Sequence, residues 1–76
     1  MQQNRKPTVL IVDDDPDMRG IVGSVVSLLE CDICEAADGE EALKQYEQAH
    51  PDLVILDIMM PGIHGTEVCR RIKATE

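Results

Sequence analysis

The chain has 76 residues, a formal net charge of −8 and a single aromatic side chain, Tyr46, with no Phe or Trp. This length builds one small domain at most, and such a domain buries only roughly 60–65% of its unfolded surface. The negative charge argues against nucleic acid or anionic membrane as a partner of these residues, because nothing here would neutralise phosphates. Stacking platforms for bases are absent as well.

Residues 1–8, "MQQNRKPT", form a polar N-terminal extension without the apolar core of a signal peptide. No stretch approaches the ~18 consecutive apolar residues of a membrane span. A cytoplasmic location is expected, and the odd number of cysteines (Cys31, Cys34 and Cys69) fits reduced thiols.

Val9 to Val12 is a β-branched-rich run that ends in acids, and it reads as a strand buried on both faces. Pro16 suits the first turn of a helix with Asp15 as its N-cap. Met18, Ile21, Val22, Val25, Leu28 and Leu29 recur at helical spacing and predict its apolar face. Gly20 and Gly23 each weaken that helix by up to about 1 kcal/mol relative to Ala, so it must lean on tertiary packing.

Cys31 to Ala37 is a weaker strand. Asp38 and Glu41 have capping-box spacing and open a second helix, with Ala42, Leu43, Tyr46 and Ala49 as its apolar positions and Pro51 as its stop. Leu53 to Leu56 is the third strand. After a Pro/Gly loop, Thr66 is expected to cap a third helix through Val68, Cys69 and Ile72. Arg70, Arg71 and Lys73 lie near that helix's C-terminus, solvated.

The predicted order is β-α-β-α-β-α, an α/β class with a parallel sheet and helices on its faces. The two most apolar strands, first and third, should be neighbours, giving spatial order 2-1-3. Their C-terminal ends then meet where the chain order reverses, the crevice in which open α/β sheets place ligands. Asp13 and Asp14 leave the first strand there and Asp57 leaves the third. Three like charges in one small pocket repel, and a hard divalent cation relieves the repulsion. Mg²⁺ prefers one or two carboxylates, waters and phosphate oxygens in an octahedron. The backbone carbonyl of Met59 is placed to join the metal ligands. One carboxylate can then attack a phosphoryl group.

Each feature has a plainer reading. A lone Asp after an apolar run usually ends a strand, and acids before a helix complement its dipole. The conjunction at the tips of two inner strands is what points to a site. Asp13, Asp15 and Asp17 imitate the start of a calcium loop, but Met18 stands where Gly is required and Ser24 where the closing Glu is required. Cys31 and Cys34 have redox or zinc spacing, yet three residues apart on a strand they point to opposite faces. His50 reads as solvated, and His64 has no partner.

"VLIVDDDPDMRGIV", "EAADGEEAL" and "PDLVILDIMMPGIHGTEVCRRIK" resemble the receiver domain of two-component response regulators, from Val9 to Lys73. The resemblance implies a partial flavodoxin-like sheet lacking the last two β-α units, so that residues 1–76 are a truncated receiver domain. It implies that Asp57 accepts a phosphoryl group from a sensor histidine kinase or phosphotransfer protein. Asp14 would ligate Mg²⁺ directly and Asp13 largely through water, with Asp57 and the Met59 carbonyl completing the protein ligands. Pro61, Gly62 and Gly65 would shape the loop, and His64 replaces the acidic residue common there.

Receivers also use a Ser/Thr after a fourth strand and a Lys after a fifth, neither of which these residues contain. Impaired phosphorylation is therefore expected, at most of the chain by itself, without turnover of a substrate. Two other readings stay open. One is a non-catalytic assembly fragment, a homo-oligomer pairing strand 53–56 across a two-fold axis. The other is a phosphatase of the haloacid dehalogenase type, which would use Asp13 and Asp15.

Overall fold

The computed structural model describes residues 6–57 and 65–74. The elements are β1 (Thr8–Val12), α1 (Pro16–Ser27), β2 (Asp32–Ala36), α2 (Gly39–Ala49), β3 (Leu53–Leu56) and α3 (Gly65–Ala74). The three strands form one parallel sheet in the order β2-β1-β3, as the sequence predicts. β1 runs in register with both neighbours, Val12 opposite Ala36 on one side and Leu56 on the other. The start of β3 is pinned to the start of β1. Asp52 N–H donates to the Thr8 carbonyl, and Thr8 N–H donates to the Asp52 carboxylate, each at 2.8 Å.

Strand alternation gives the sheet two apolar faces. Leu10 and Val12 pack with Ala36, Ala42, Val68 and Ile72, so α2 and α3 cover that face. Val9 and Ile11 pack with Val26 of α1 on the other. The handedness of parallel crossovers explains the division. β1→β2 and β2→β3 step across the sheet in opposite senses, so their helices fall on opposite faces. The two cysteines follow the same alternation. Cys31 joins the α1 side and Cys34 the α2 side, which removes any reading of them as a pair.

Local signals act largely as the residues suggest. Asp15 caps α1 by accepting the Asp17 N–H, and Asp38 caps α2 by accepting the Glu41 N–H at 2.8 Å. The Glu41 carboxylate reaches back to the Ala37 N–H, one residue before the cap, at 2.8 Å. α2 ends at His50, in the left-handed region at φ 48°, with Pro51 next.

Two expectations are corrected. α3 already includes Gly65, so Thr66 sits inside its first turn rather than capping it. The larger correction concerns α1. Of the six residues assigned to its apolar face, Met18, Ile21, Val25, Leu28 and Leu29 are exposed and only Val22 is half-buried. The sheet instead receives the adjacent stripe Arg19, Val22, Gly23, Val26, which has the i, i+3, i+4, i+7 spacing of one helix face. Gly23 faces β1: a Cβ there would stand 3.9 Å from Ile11 Cδ1, an ordinary van der Waals contact, so the packing of α1 on β1 leaves room for an alanine. The more hydrophobic stripe lost to the one that fits closely against Val9 and Ile11. No helix among the described residues is long and apolar enough to cross a membrane.

In α3, Arg70 and Arg71 do not simply face solvent. Arg70 Nε donates to Glu67 at 3.0 Å and Arg71 Nε at 2.8 Å. The Arg70 hydrogen bonds, followed by that of Arg71, hold the Glu67 carboxyl down from 4.5 to about 2. The unfolded chain takes up this proton at higher pH than the folded one. The contribution is therefore complete above pH 4.5 and is lost as pH falls toward 2. Solvent screening keeps it small. Glu67→Gln should flatten the acid limb of stability against pH in that window, with a small loss of stability near neutrality that vanishes toward pH 2, measured by urea unfolding across the pH series.

Candidate metal centre

The sheet's backbone hydrogen bonding extends past the strand ends and positions the acids. Asp13 N–H donates to the Ala36 carbonyl at 3.1 Å, and Asp57 N–H donates to the Val12 carbonyl at 3.0 Å. Because Val12 lies opposite Leu56, the next residue of each strand, Asp13 and Asp57, falls side by side at one tip. They follow Ile11 and Ile55 by two residues, on the α1 face by alternation. Asp14 is the first residue of the turn into α1.

Asp13, Asp14 and Asp57 each bring a carboxylate oxygen to within 4.8 Å of the other two. Asp13 and Asp57 are half-buried and Asp14 is exposed. Asp13 Oδ1 also accepts the Asp15 N–H at 3.0 Å, which fixes its rotamer. The donor set is all carboxylate oxygen, the ligand type that hard cations take. Two ligands on an Mg²⁺ octahedron lie about 3–4 Å apart, within the 4.8 Å that bounds the separations here.

The remaining candidates separate clearly. Asp15 spends its carboxylate on capping α1 and is not a member of the cluster. That leaves the Asp13/Asp15 phosphatase pairing without its second member at the pocket. Asp17 is likewise outside it. Met59, Met60, Pro61, Gly62 and His64 lie outside the described residues, so the expected Met59 carbonyl ligand and the loop roles do too, and Gly65 is the first residue of α3.

Arg19 escaped sequence reasoning. Its Nη1 donates to the Asp13 carbonyl at 2.7 Å and its Nε to Glu35 Oε1 at 3.1 Å. The available signal was its place in the stripe Arg19, Val22, Gly23, Val26, which a search for the most apolar face passes over.

Residues 9–76 match the response regulator receiver domain family. A probable transcriptional regulator, ycf27, of Porphyridium aerugineum is 41% identical over 69 residues, which are 91% of this chain and 29% of the relative. Among solved structures, the response regulator TrrA of Thermotoga maritima, in complex with Mg²⁺ and BeF, superposes with TM-score 0.88 at 41% identity. It covers 92% of this chain and 61% of that one. The same regulator bound to the histidine kinase ThkA gives 0.86 at 41% identity, covering 92% and 60%. The chain thus spans under a third of that curated relative and about three-fifths of those solved chains.

Three carboxylates held this close repel at any pH where they are ionised. Asp14→Asn should raise the thermal midpoint in metal-free, low-salt buffer by a few degrees, equivalent to ~0.5 kcal/mol for a domain of this size. Added salt should shrink the gain. Calorimetric scans of both proteins at two ionic strengths check it.

Proposed function

Because this chain belongs to the response regulator receiver domain family, we propose that it is the phosphoacceptor part of a two-component signalling protein, with Asp57 as the nucleophile. One observation carries the reading: Asp13, Asp14 and Asp57 bring carboxylate oxygens to within 4.8 Å of one another at the strand tips. A single ionised carboxylate suffices to attack phosphorus, and the other two supply the charge that keeps a cation beside it.

The chemistry is a transfer between two carriers. A carboxylate oxygen of Asp57 forms a bond to phosphorus as the bond from phosphorus to a donor imidazole nitrogen breaks. The nitrogen keeps the bonding pair, the ring leaves as neutral imidazole when its other nitrogen carries a proton and otherwise takes one from solvent, and Asp57 becomes an acyl phosphate. Bound Mg²⁺ supplies neutralisation of the charge on the transferring group. Asp13 and Asp14 hold that cation, with the Met59 carbonyl as a further ligand by family resemblance.

The donor is a sensor histidine kinase or phosphotransfer protein. TrrA, similar in fold and 41% identical, has been solved with a histidine kinase, which supports that class of partner. With a net charge of −8, the segment itself does not engage nucleic acid. A cytoplasmic location accords with such a partner. The 76 residues contain neither the later Ser/Thr nor the later Lys of the family, so this segment alone should react slowly and perform no turnover.

Incubation with Mg²⁺ and a small acyl phosphate should add the mass of one phosphoryl group, labile to hydroxylamine. Asp57→Asn and chelation of Mg²⁺ should each abolish it. Intact-mass measurement decides, and incorporation that persists in Asp57→Asn overturns the assignment.

A second reading, assembly through β3, draws on a separate observation. Among the described residues β3 pairs with β1 only, and Leu53 at its start is 55% exposed. Two chains joining edge to edge across a two-fold axis would run antiparallel there. Light scattering at micromolar concentration should then show a dimer that Leu53→Lys weakens, whereas a folded monomer would dismiss it.

A further inference from the structure

Asp13, Arg19 and Glu35 come from β1's tip, α1 and β2, and they meet in one hydrogen-bonded chain. From it we infer that Arg19 is a positioning residue for the acid pocket and that Glu35 keeps it in that role. The inference rests on reading Asp13, Asp14 and Asp57 as the cation site.

The carbonyl that Arg19 holds is the one in the peptide joining Asp13 to Asp14. That peptide is planar and carries both Cα atoms. Gripping its oxygen at 2.7 Å therefore sets the orientation of two ligand-bearing residues at once. The same unit is held at two further points, the Asp13 N–H on Ala36 and the Asp13 Oδ1 under the Asp15 N–H. Arg19 supplies the grip on the α1 side, and its side chain is only 19% exposed.

Glu35 has a different task. It faces α1 because it follows Ile33 by two residues on β2. It accepts Arg19 Nε while Nη1 serves Asp13, so one rigid guanidinium spans two acceptors. A lysine cannot reproduce that fork. An Arg19 without Glu35 would keep its charge beside the pocket and could swing onto the Asp13 carboxylate as a rival to the cation. Glu35 neutralises Arg19 locally and leaves the three acids to the metal.

The test is calorimetric titration of the full chain with Mg²⁺ alone, with the metal-free thermal midpoint recorded for each variant. Arg19→Lys retains charge and loses the fork, and its Mg²⁺ affinity should fall roughly tenfold, as for other outer-shell changes. Glu35→Gln alters a half-exposed side chain, so the fold persists, and affinity should fall comparably. The double variant Arg19→Gln with Glu35→Gln should be no weaker than Arg19→Gln alone, since no freed guanidinium remains to compete. Arg19→Lys and Glu35→Gln both binding Mg²⁺ within about twofold of wild type overturns the positioning role, whatever their metal-free midpoints. Affinities that fall independently and additively overturn the role of Glu35. A wild-type chain that takes no Mg²⁺ overturns the cation site itself, and the positioning role with it.

Discussion

The parallel pairing of β1 with β3 is the constraint on which the rest depends. Its register puts Val12 beside Leu56, and the next residue on each strand is an aspartate. Shifted by one residue, the pairing would send Leu56 and Val54 to the α1 side and separate the carboxylates. The pairing is held at both ends, by the Thr8–Asp52 exchange below and the Asp57 N–H to Val12 carbonyl bond above. Apolar burial on two faces then makes the register costly to change. Leu10, Ile11 and Val12 are each 1% exposed or less.

The two faces are unequally furnished. α2 and α3 together close over Leu10 and Val12, and Ala42 and Val68 are fully buried there. Among the described residues α1 covers the other face, through Val22 and Val26, and Met18, Ile21 and Val25 stand exposed on its outer side. What α1 contributes to the pocket is its N-terminus. Asp15 caps it, Arg19 lies one turn further on, and the turn between β1 and α1 presents Asp14.

Residues 6–57 and 65–74 therefore bring together a fold, an acid cluster and a support for that cluster. Three ionised carboxylates this close repel one another, and a hard cation would relieve that repulsion. Arg19 and Glu35 fit that logic as a neutral pair beside a charged site. They stiffen the backbone of Asp13 without cancelling the carboxylates.

The sequence by itself determined the element order, the strand order and the meeting of Asp13, Asp14 and Asp57. Those follow from strand-length apolar runs, caps at Asp15 and Asp38, and the rule that parallel strands end together. It also settled that Cys31 and Cys34 are not a pair, through the period of two along a strand. Only the tertiary structure decided which side of α1 meets the sheet. Periodicity ranks helix faces by hydrophobicity, but burial is decided by the partner surface. The partner accepted Gly23 and Val26 close to Ile11 and left Ile21 and Val25 outside. Arg19 followed that choice of face. Its link to Glu35 spans 16 residues of sequence and a change of element. No local pattern announces a hydrogen bond that exists only once α1 has settled on β1 and β2.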